Sequence, residues 1–304
     1  MNRTQLKANL YLLLAAAIWG FSFVAQRVGV RYVGSFYMNG IRFAVGVLVL
    51  LPVLLLRRRS DTADRRKNIL TLKAGLLAGI ILFAAVSLQQ LGIVGTSAGK
   101  SAFITSLYII LVPVFGLLLG RRIGLGAWLG TACAAAGLYF LCVTEALTIS
   151  GYDLLILGSA VLYTVHILLV DHYSSRVYIL KMALCQFAVC AVLSLAVAAA
   201  AETITWAGVR QAAVPLLYGG IGSVGIAFTL QLAGQKDASP TSAAIILGSE
   251  SLFALLGGFL ILQERMDGRG IAGIILMISG IVLSQLPART RTVALGTEVK
   301  DDVA

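Results

Sequence analysis

Charged side chains are scarce in this sequence. Lys, Arg, Asp and Glu together make up 12% of its 304 residues, and hydrophobic residues make up 59%. Ordinary soluble domains carry about 25% charged residues. So low a proportion excludes a soluble globular protein and predicts that most of the chain is buried in a lipid bilayer.

Histidine, cysteine and the common catalytic motifs are also rare or missing. The chain has two histidines, His166 and His172, so a histidine-rich metal site is excluded. Its four cysteines all lie in apolar stretches and form no CxxC pair, which argues against disulfides and zinc. HExxH, GxSxG, a glycine-rich phosphate loop and paired aspartates beside an apolar stretch are absent. We therefore expect no cofactor and no metal.

Long apolar stretches recur along the whole length. Each has roughly 18 to 22 residues, enough to cross a ~30 Å hydrocarbon core as a helix. The first is followed by Gln26-Arg27 rather than a small-residue cleavage site, so we interpret it as a retained span. The ten stretches lie near 9–26, 37–56, 70–91, 98–119, 125–143, 152–170, 179–200, 212–232, 241–262 and 270–286. They predict an all-α integral membrane protein with ten transmembrane helices.

The two halves of the chain follow the same plan at a constant offset of 143 residues. Apolar runs, breaks and glycines occur in the same order, and Gly130 falls on Gly273 and Gly137 on Gly280 without a gap. Five spans in each half force the second copy to be inverted in the membrane, as in many secondary transporters. The prediction is two inverted five-helix repeats, 1–147 and 148–288, around a central cavity. A flexible cytoplasmic tail, 289–304, follows them.

Basic residues are concentrated on one side of this topology. If the N-terminus is cytoplasmic, most of the 24 lysines and arginines fall on the inner side. The positive-inside rule then places both termini in the cytoplasm. We interpret the run RRRSDTADRRK after the second span as an orientation signal, with a lipid-headgroup contact as the lesser alternative. The net charge of +11 therefore does not indicate nucleic-acid binding.

Glu250 lies near the middle of the ninth apolar stretch, in AAIILGSESLFALLGGF. An ionised side chain at that depth costs at least ~2.5–3.5 kcal/mol, so it should face the protein interior or a wet cavity. Burial disfavours the charged form, which makes proton binding one interpretation and binding of a substrate amine another. The alternative is a carboxylate held by an arginine or by helix-end amides.

Arg42 lies about one and a half turns into the second stretch, in YMNGIRFAVG, with Asn39 on the same helical face. Three roles stay open for it: binding a substrate carboxylate, pairing with Glu250, or snorkelling to the membrane surface. Other polar and aromatic candidates line up at similar depths, and each has a packing role as its alternative. They are Trp19, Gln89, Gln90, Tyr108, Tyr163, His166 and Gln231.

Four segments resemble the EamA-type members of the drug/metabolite transporter superfamily. They are AAAIWGFSFVAQR, FYMNGIRFAVG, TSAGKSAFITSLYIILVPVFGLLLGRR and SPTSAAIILGSESLFALLGGFLILQER. The resemblance extends from about residue 9 to residue 286. Two departures stand out: Gly120 precedes Arg121-Arg122 where many relatives have an acid, and Ser251 occupies a position where relatives often have proline.

The resemblance implies a ten-helix bacterial inner-membrane carrier for small organic molecules such as amino acids, nucleobases, amines or drugs. We expect export by alternating access, driven either by protons or by the gradient of the substrate itself. We also expect a functional monomer, because one chain that contains both repeats needs no partner to form a pathway. We expect Glu250, Arg42, Trp19, Gln89, Gln90, Tyr108, His166 and Gln231 to bind substrate or couple transport. We expect the cavity to be lined by the first, third, fourth, sixth, eighth and ninth spans.

Two alternatives come from other classes. A membrane-embedded enzyme acting on a lipid-linked substrate would use Glu250 and His166 as acid and base, which requires the two side chains to lie within hydrogen-bond reach. A non-transporting membrane scaffold would have no cavity between the repeats, and its intramembrane polar groups would pair with each other.

Overall fold

The structure, a computed structural model, describes residues 3–56, 64–96, 98–142, 149–262 and 268–285. Within these ranges the chain is helical and contains no strand, so the prediction of an all-α protein is confirmed there. Two predicted features lie wholly or largely outside the described residues: the basic run that starts at Arg57 and the tail 289–304.

The helices follow one another through short connections. The first half contains α1 (Arg3–Val33), α2 (Ser35–Leu56), α3 (Arg65–Val94), α4 (Ala98–Ser106), α5 (Tyr108–Leu118) and α6 (Leu125–Cys142). The second half contains α7 (Gly151–Ser174), α8 (Ile179–Ala201), α9 (Trp206–Gln211), α10 (Ala213–Leu217), a π-helix (Tyr218–Phe228), α11 (Thr229–Gln235), α12 (Pro240–Leu247), α13 (Glu250–Leu262) and α14 (Gly268–Ser284).

Eight helical segments among the described residues are long and apolar enough to cross a membrane. Two shorter apolar helices, Leu125–Phe140 and Gly268–Ser284, lie where the fifth and tenth spans are predicted. A helix suits this setting because it satisfies its backbone hydrogen bonds internally, which lipid cannot do. The total of ten spans and the inversion of the second half stay predictions.

Polar caps begin several helices. Asp64 accepts a hydrogen bond from the backbone N–H of Lys67 at the start of α3. Ser150 and Asp153 form a capping box at the start of α7, in which each side chain accepts from the other residue's backbone N–H. Ser239 caps α12, where Pro240 occupies the first helical turn. These caps satisfy amide groups that have no partner within the helix.

Two of the spans are interrupted near their middles. The first interruption is at Leu107, between α4 and α5, and the second is at Gly248-Ser249, between α12 and α13. At both places hydrogen bonds to the third preceding residue appear, for example from Leu107 N to Ile104 O at 3.2 Å and from Ser249 N to Ile246 O at 3.1 Å. The interruptions touch, because Ser106 Oγ lies 3.4 Å from Gly248 O.

Two ion pairs join the α4–α5 segment to α7. Lys100 Nζ lies 2.7 Å from Asp153 Oδ2 near the start of both segments, where the Asp153 side chain is 5% exposed. Arg121, just beyond the end of α5, lies 2.6 Å through Nη1 from Asp171 Oδ2 near the end of α7. Each end of this helix pair therefore carries one ionic contact between the first and second halves of the chain.

Glycines allow α6 and α14 to pack with their backbones in contact. A Cβ added at Gly137 would lie 2.6 Å from Met277 N and 2.7 Å from Gly273 O. A Cβ added at Gly280 would lie 2.7 Å from Gly130 O. Small residues are favoured at such helix interfaces in lipid because close packing, rather than the hydrophobic effect, holds the helices together.

Replacing Gly137 by alanine is expected to lower the free energy of unfolding by about 1–3 kcal/mol, the usual cost of overpacking. The methyl group would meet backbone atoms of α14, which cannot rotate away. Reversible unfolding in detergent measures the change. Gly151→Ala is the matched control because a Cβ at that position meets nothing within 4 Å. Equal stability of the two variants would contradict the close packing of α6 and α14.

Candidate functional site

A cavity with an empty volume of about 500 Å³ lies between the two halves of the chain. Helices from both halves contribute to its wall, including all six predicted spans and, in addition, α2 through Arg42. Its lining combines charged, amide and aromatic side chains. The lining residues are Trp19, Phe23, Gln26, Arg42, Gln89, Thr105, Tyr108, Tyr163, Ile167, Ser223, Phe228, Gln231, Leu247 and Glu250.

Six of the eight predicted site residues lie on this wall. They are Trp19, Arg42, Gln89, Tyr108, Gln231 and Glu250. The other two lie behind it. Gln90 is fully buried and donates through Nε2 to the backbone O of Gln26 at 3.5 Å. His166 is also fully buried, and its Nε2 lies 3.1 Å from Gln186 Oε1. Neither residue lines the cavity, and a part in binding or coupling stays a prediction for both.

Glu250 is the first residue of α13, directly after the interruption of the ninth predicted span. It is 4% exposed. Tyr108 donates its hydroxyl to Glu250 Oε1 at 3.0 Å, and Ser106 Oγ lies 3.4 Å from the same oxygen. Among the described residues, Glu250 makes no ion pair and shares no hydrogen bond with His166. The acid–base pair that an enzyme would need is therefore not formed by direct contact.

Arg42 enters the cavity from α2. The side chain is only 2% exposed, so it does not snorkel to the membrane surface. Nε donates to Asn39 Oδ1 at 3.1 Å, and the guanidinium carbon lies 5.3 Å from the centroid of the Phe43 ring. The two ion pairs of the described residues, Lys100–Asp153 and Arg121–Asp171, do not involve Arg42. The cavity wall thus holds a buried cation without a carboxylate partner, an arrangement that costs free energy unless a ligand supplies the anion.

A chain of hydrogen bonds fixes one part of the wall. Tyr163 on α7 donates its hydroxyl to Gln89 Oε1 at 3.2 Å, and Gln89 Nε2 donates to Thr105 Oγ1 at 3.1 Å. This chain connects α7, α3 and α4. On another side, Trp19 Nε1 donates to the backbone O of Ser223 at 3.2 Å. These bonds orient the polar side chains around the cavity before any ligand binds.

Two amide oxygens on the cavity wall are buried without a hydrogen-bond partner among the described residues. They are Gln26 Oε1 and Gln231 Oε1. Leaving a buried acceptor unpaired costs about 1–3 kcal/mol, so such atoms are uncommon unless water or a ligand serves them. The cavity that Arg42 lines therefore also offers two acceptors for N–H or O–H groups.

Sequence reasoning missed several of the lining residues. Gln26 was interpreted only as the flank of the first apolar stretch, although it lies seven residues after Trp19 and so shares its helical face. Thr105 lies three residues before Tyr108 and had the same kind of signal. Ser223 and Phe228 had none, because they belong to a π-helix whose spacing differs from that of an α-helix.

Comparison with known proteins agrees with this architecture. The pattern of the EamA-like transporter family matches the chain twice, over residues 6–143 and 150–286. An uncharacterized transporter of Archaeoglobus fulgidus is 27% identical over 93% of this chain and 87% of its own length. The uncharacterized transporter YoaV of Bacillus subtilis is 23% identical over 95% of this chain and 100% of its own.

A solved crystal structure shares the fold. It is 19% identical in sequence, covers 93% of this chain and 97% of its own, and superposes with a TM-score of 0.76. At that identity the likeness speaks for the fold alone. The predicted resemblance is confirmed by the two family matches, which together span nearly the whole chain. The chain belongs to the EamA-like transporter family.

Proposed function

We propose that the protein is a secondary carrier that exports a small polar or zwitterionic metabolite by alternating access. The observation that carries the proposal is the pair of buried ionisable side chains on one cavity wall, Arg42 and Glu250, which form no ion pair with each other. A ligand with an anionic and a cationic group matches both, and amino acids, amines and nucleobases are the compound classes to test.

The matched interruptions support alternating access around this cavity. In the proposed topology, 1–147 and 148–288 are inverted five-helix repeats, and the offset of 143 residues places Leu107 on Glu250. The interruption at Leu107 therefore falls within two residues of the one at Gly248-Ser249, and the two meet beside the cavity through Ser106, Tyr108 and Glu250. Discontinuous spans at the repeat interface are the usual location of substrate sites in such carriers.

The proposed setting is the inner membrane of a bacterium, with both termini in the cytoplasm and a monomer as the functional unit. Basic residues at the presumed inner ends of the helices, such as Arg66, Lys67, Arg122 and Lys181, support this orientation. A single chain that contains both halves of a cavity needs no second copy to complete a pathway. Proton coupling would act through Glu250, the one carboxyl group on the cavity wall of the described residues.

The test is efflux from liposomes that contain the purified protein and are preloaded with amino acids, nucleobases and small amines. Mass spectrometry of the external medium is expected to show selective release of one compound class. Protein-free liposomes control for leakage. If no compound leaves from a preparation with an intact thermal unfolding transition, the carrier proposal fails for the compound classes tested.

A further inference from the structure

A second cavity lies at the N-terminal end of α1. It has an empty volume of about 650 Å³ and is bounded by the first turns of α1 and the end of α11. Arg3, Lys7 and Tyr11 come from α1 at intervals of four residues, so they share one helical face. Ala233 and Asp237 complete the opposite wall. None of these residues lines the central cavity.

Both signs of charge open into this second cavity. Arg3, Lys7 and Asp237 are exposed, and the two ion pairs of the described residues do not involve them. Lys7 Nζ lies 5.6 Å from the centroid of the Tyr11 ring. Two cations and one carboxylate therefore face a shared space without an ion pair between them.

The predicted spans place the second cavity at the level of the phospholipid headgroups. With 31 residues, α1 is ~46 Å long at 1.5 Å per residue, well beyond the ~30 Å hydrocarbon core. Its apolar stretch begins near residue 9, so Arg3 and Lys7 occupy the two turns outside it. Asp237 follows the end of α11 at Gln235 in the same way. Tyr11, between the charged and apolar parts of α1, is a residue type enriched at this boundary.

We propose that this second cavity binds the headgroup of an ethanolamine phospholipid. The phosphate would lie against Arg3 and Lys7, since basic pockets between membrane helices bind lipid headgroups. The ammonium would donate to Asp237, which a choline headgroup cannot match because its nitrogen carries no hydrogen, and which a glycerol headgroup cannot match in charge. The site rests on the proposed membrane topology but on no property of the transported molecule.

Thermal unfolding of the full chain in detergent tests the site, with phosphatidylethanolamine, phosphatidylglycerol or phosphatidylcholine added at equal concentration. A ligand that binds only the folded state raises the unfolding midpoint. We expect phosphatidylethanolamine to raise it by about 2–4 °C over phosphatidylcholine, with phosphatidylglycerol in between. Soluble phosphoethanolamine and inorganic phosphate, which lack acyl chains, are expected to give no rise.

Substitutions test which charged side chains bind the phosphate and which binds the ammonium of the headgroup. In Asp237→Asn, the rise of the unfolding midpoint with phosphatidylethanolamine is expected to fall to the rise seen with phosphatidylglycerol. The double variant Arg3→Gln/Lys7→Gln is expected to show no rise with either lipid. Lys236→Gln is the matched control, because Lys236 is exposed beside Asp237 but does not line the second cavity. An unchanged gain in Asp237→Asn would overturn the proposal.

Two other outcomes would also overturn it. A full gain from soluble phosphoethanolamine would identify a free metabolite, rather than a lipid, as the ligand. Slower efflux in the cavity variants with unchanged lipid-dependent gains would identify the second cavity as a mouth of the transport pathway. Because unfolding is measured without any transported compound, failure of this proposal is distinguishable from failure of the carrier proposal.

Discussion

Replacing Glu250 by glutamine is expected to abolish pH-driven uptake while leaving counterflow exchange of the substrate. Glutamine keeps the shape of the side chain and can still accept the hydrogen bond that Tyr108 donates at 3.0 Å, but it cannot exchange a proton. A carboxyl group within the membrane is costly and is retained mainly where it has a function. Uptake driven by a pH gradient should therefore fall to the level of protein-free liposomes.

Exchange at equal pH on both sides is the informative comparison for this variant. It requires the substrate to bind and the carrier to reorient, but no net proton movement. Asp64→Asn is a suitable control, because Asp64 is an exposed cap of α3 and asparagine also caps helices well. Equal loss of gradient-driven uptake and exchange in Glu250→Gln would exclude proton coupling through this residue.

Replacing Arg42 by glutamine is expected to lower the binding affinity for carboxylate-bearing substrates about 30-fold or more, the usual effect of removing one member of a buried charge pair. The affinity of Arg42→Lys should lie between those of the unchanged protein and Arg42→Gln. An ammonium keeps the charge but loses the planar fork that binds a carboxylate through two hydrogen bonds. Competition for exchange by carboxylates and by uncharged analogues measures the effect. The uncharged analogues should be affected least.

Stability separates this role of Arg42 from a structural one. Arg42 is 2% exposed and has no carboxylate partner among the described residues, so removing its charge should leave the unfolding midpoint unchanged or raise it. Arg122→Gln, at an exposed position, controls for loss of one positive charge. A lowered midpoint together with unchanged substrate discrimination would show that Arg42 supports the fold rather than the substrate.

Much of the fold was predictable because the bilayer imposes strict requirements on sequence. Apolar stretches of membrane length predict helices, and eight of the predicted stretches contain described helical segments long and apolar enough to cross a membrane. The fifth and tenth stretches contain shorter apolar helices. The interruption at Gly248-Ser249 was less predictable. The sequence has Ser251 and no proline at this point, so no missing backbone N–H predicts the break. Ser251 Oγ instead donates to Gly248 O at 2.7 Å.

The candidate site was predictable where a residue is expensive in lipid. Glu250, Arg42 and the glutamines stand out in apolar stretches because each must face protein or water. The cost of a polar group in lipid does not say which interior surface the group faces. Sequence reasoning therefore could not separate Gln90 and His166, which lie behind the cavity wall, from the residues that line it. Phe228 lines the cavity and packs edge-on to Trp19 with ring centroids 4.7 Å apart. A phenylalanine side chain is as favourable in lipid as on a cavity wall, so its presence in an apolar stretch does not predict a cavity residue.

The two ion pairs between the α4–α5 segment and α7 make the contacts between the two halves asymmetric. The offset of 143 residues carries Lys100 and Asp153 onto Ala243 and Leu10, and Arg121 and Asp171 onto Glu264 and Val28, so neither pair has a counterpart of opposite charges. On the equivalent side, Gly20 instead lets α1 approach the backbone of α13, where an added Cβ would lie 2.5 Å from Glu250 O. The contact between the α4–α5 segment and α7 is held by an ion pair at each end, whereas α1 and α13 meet at Gly20 through close backbone packing. In the proposed alternating-access motion, we expect the halves to pivot at the first contact and to slide along the second.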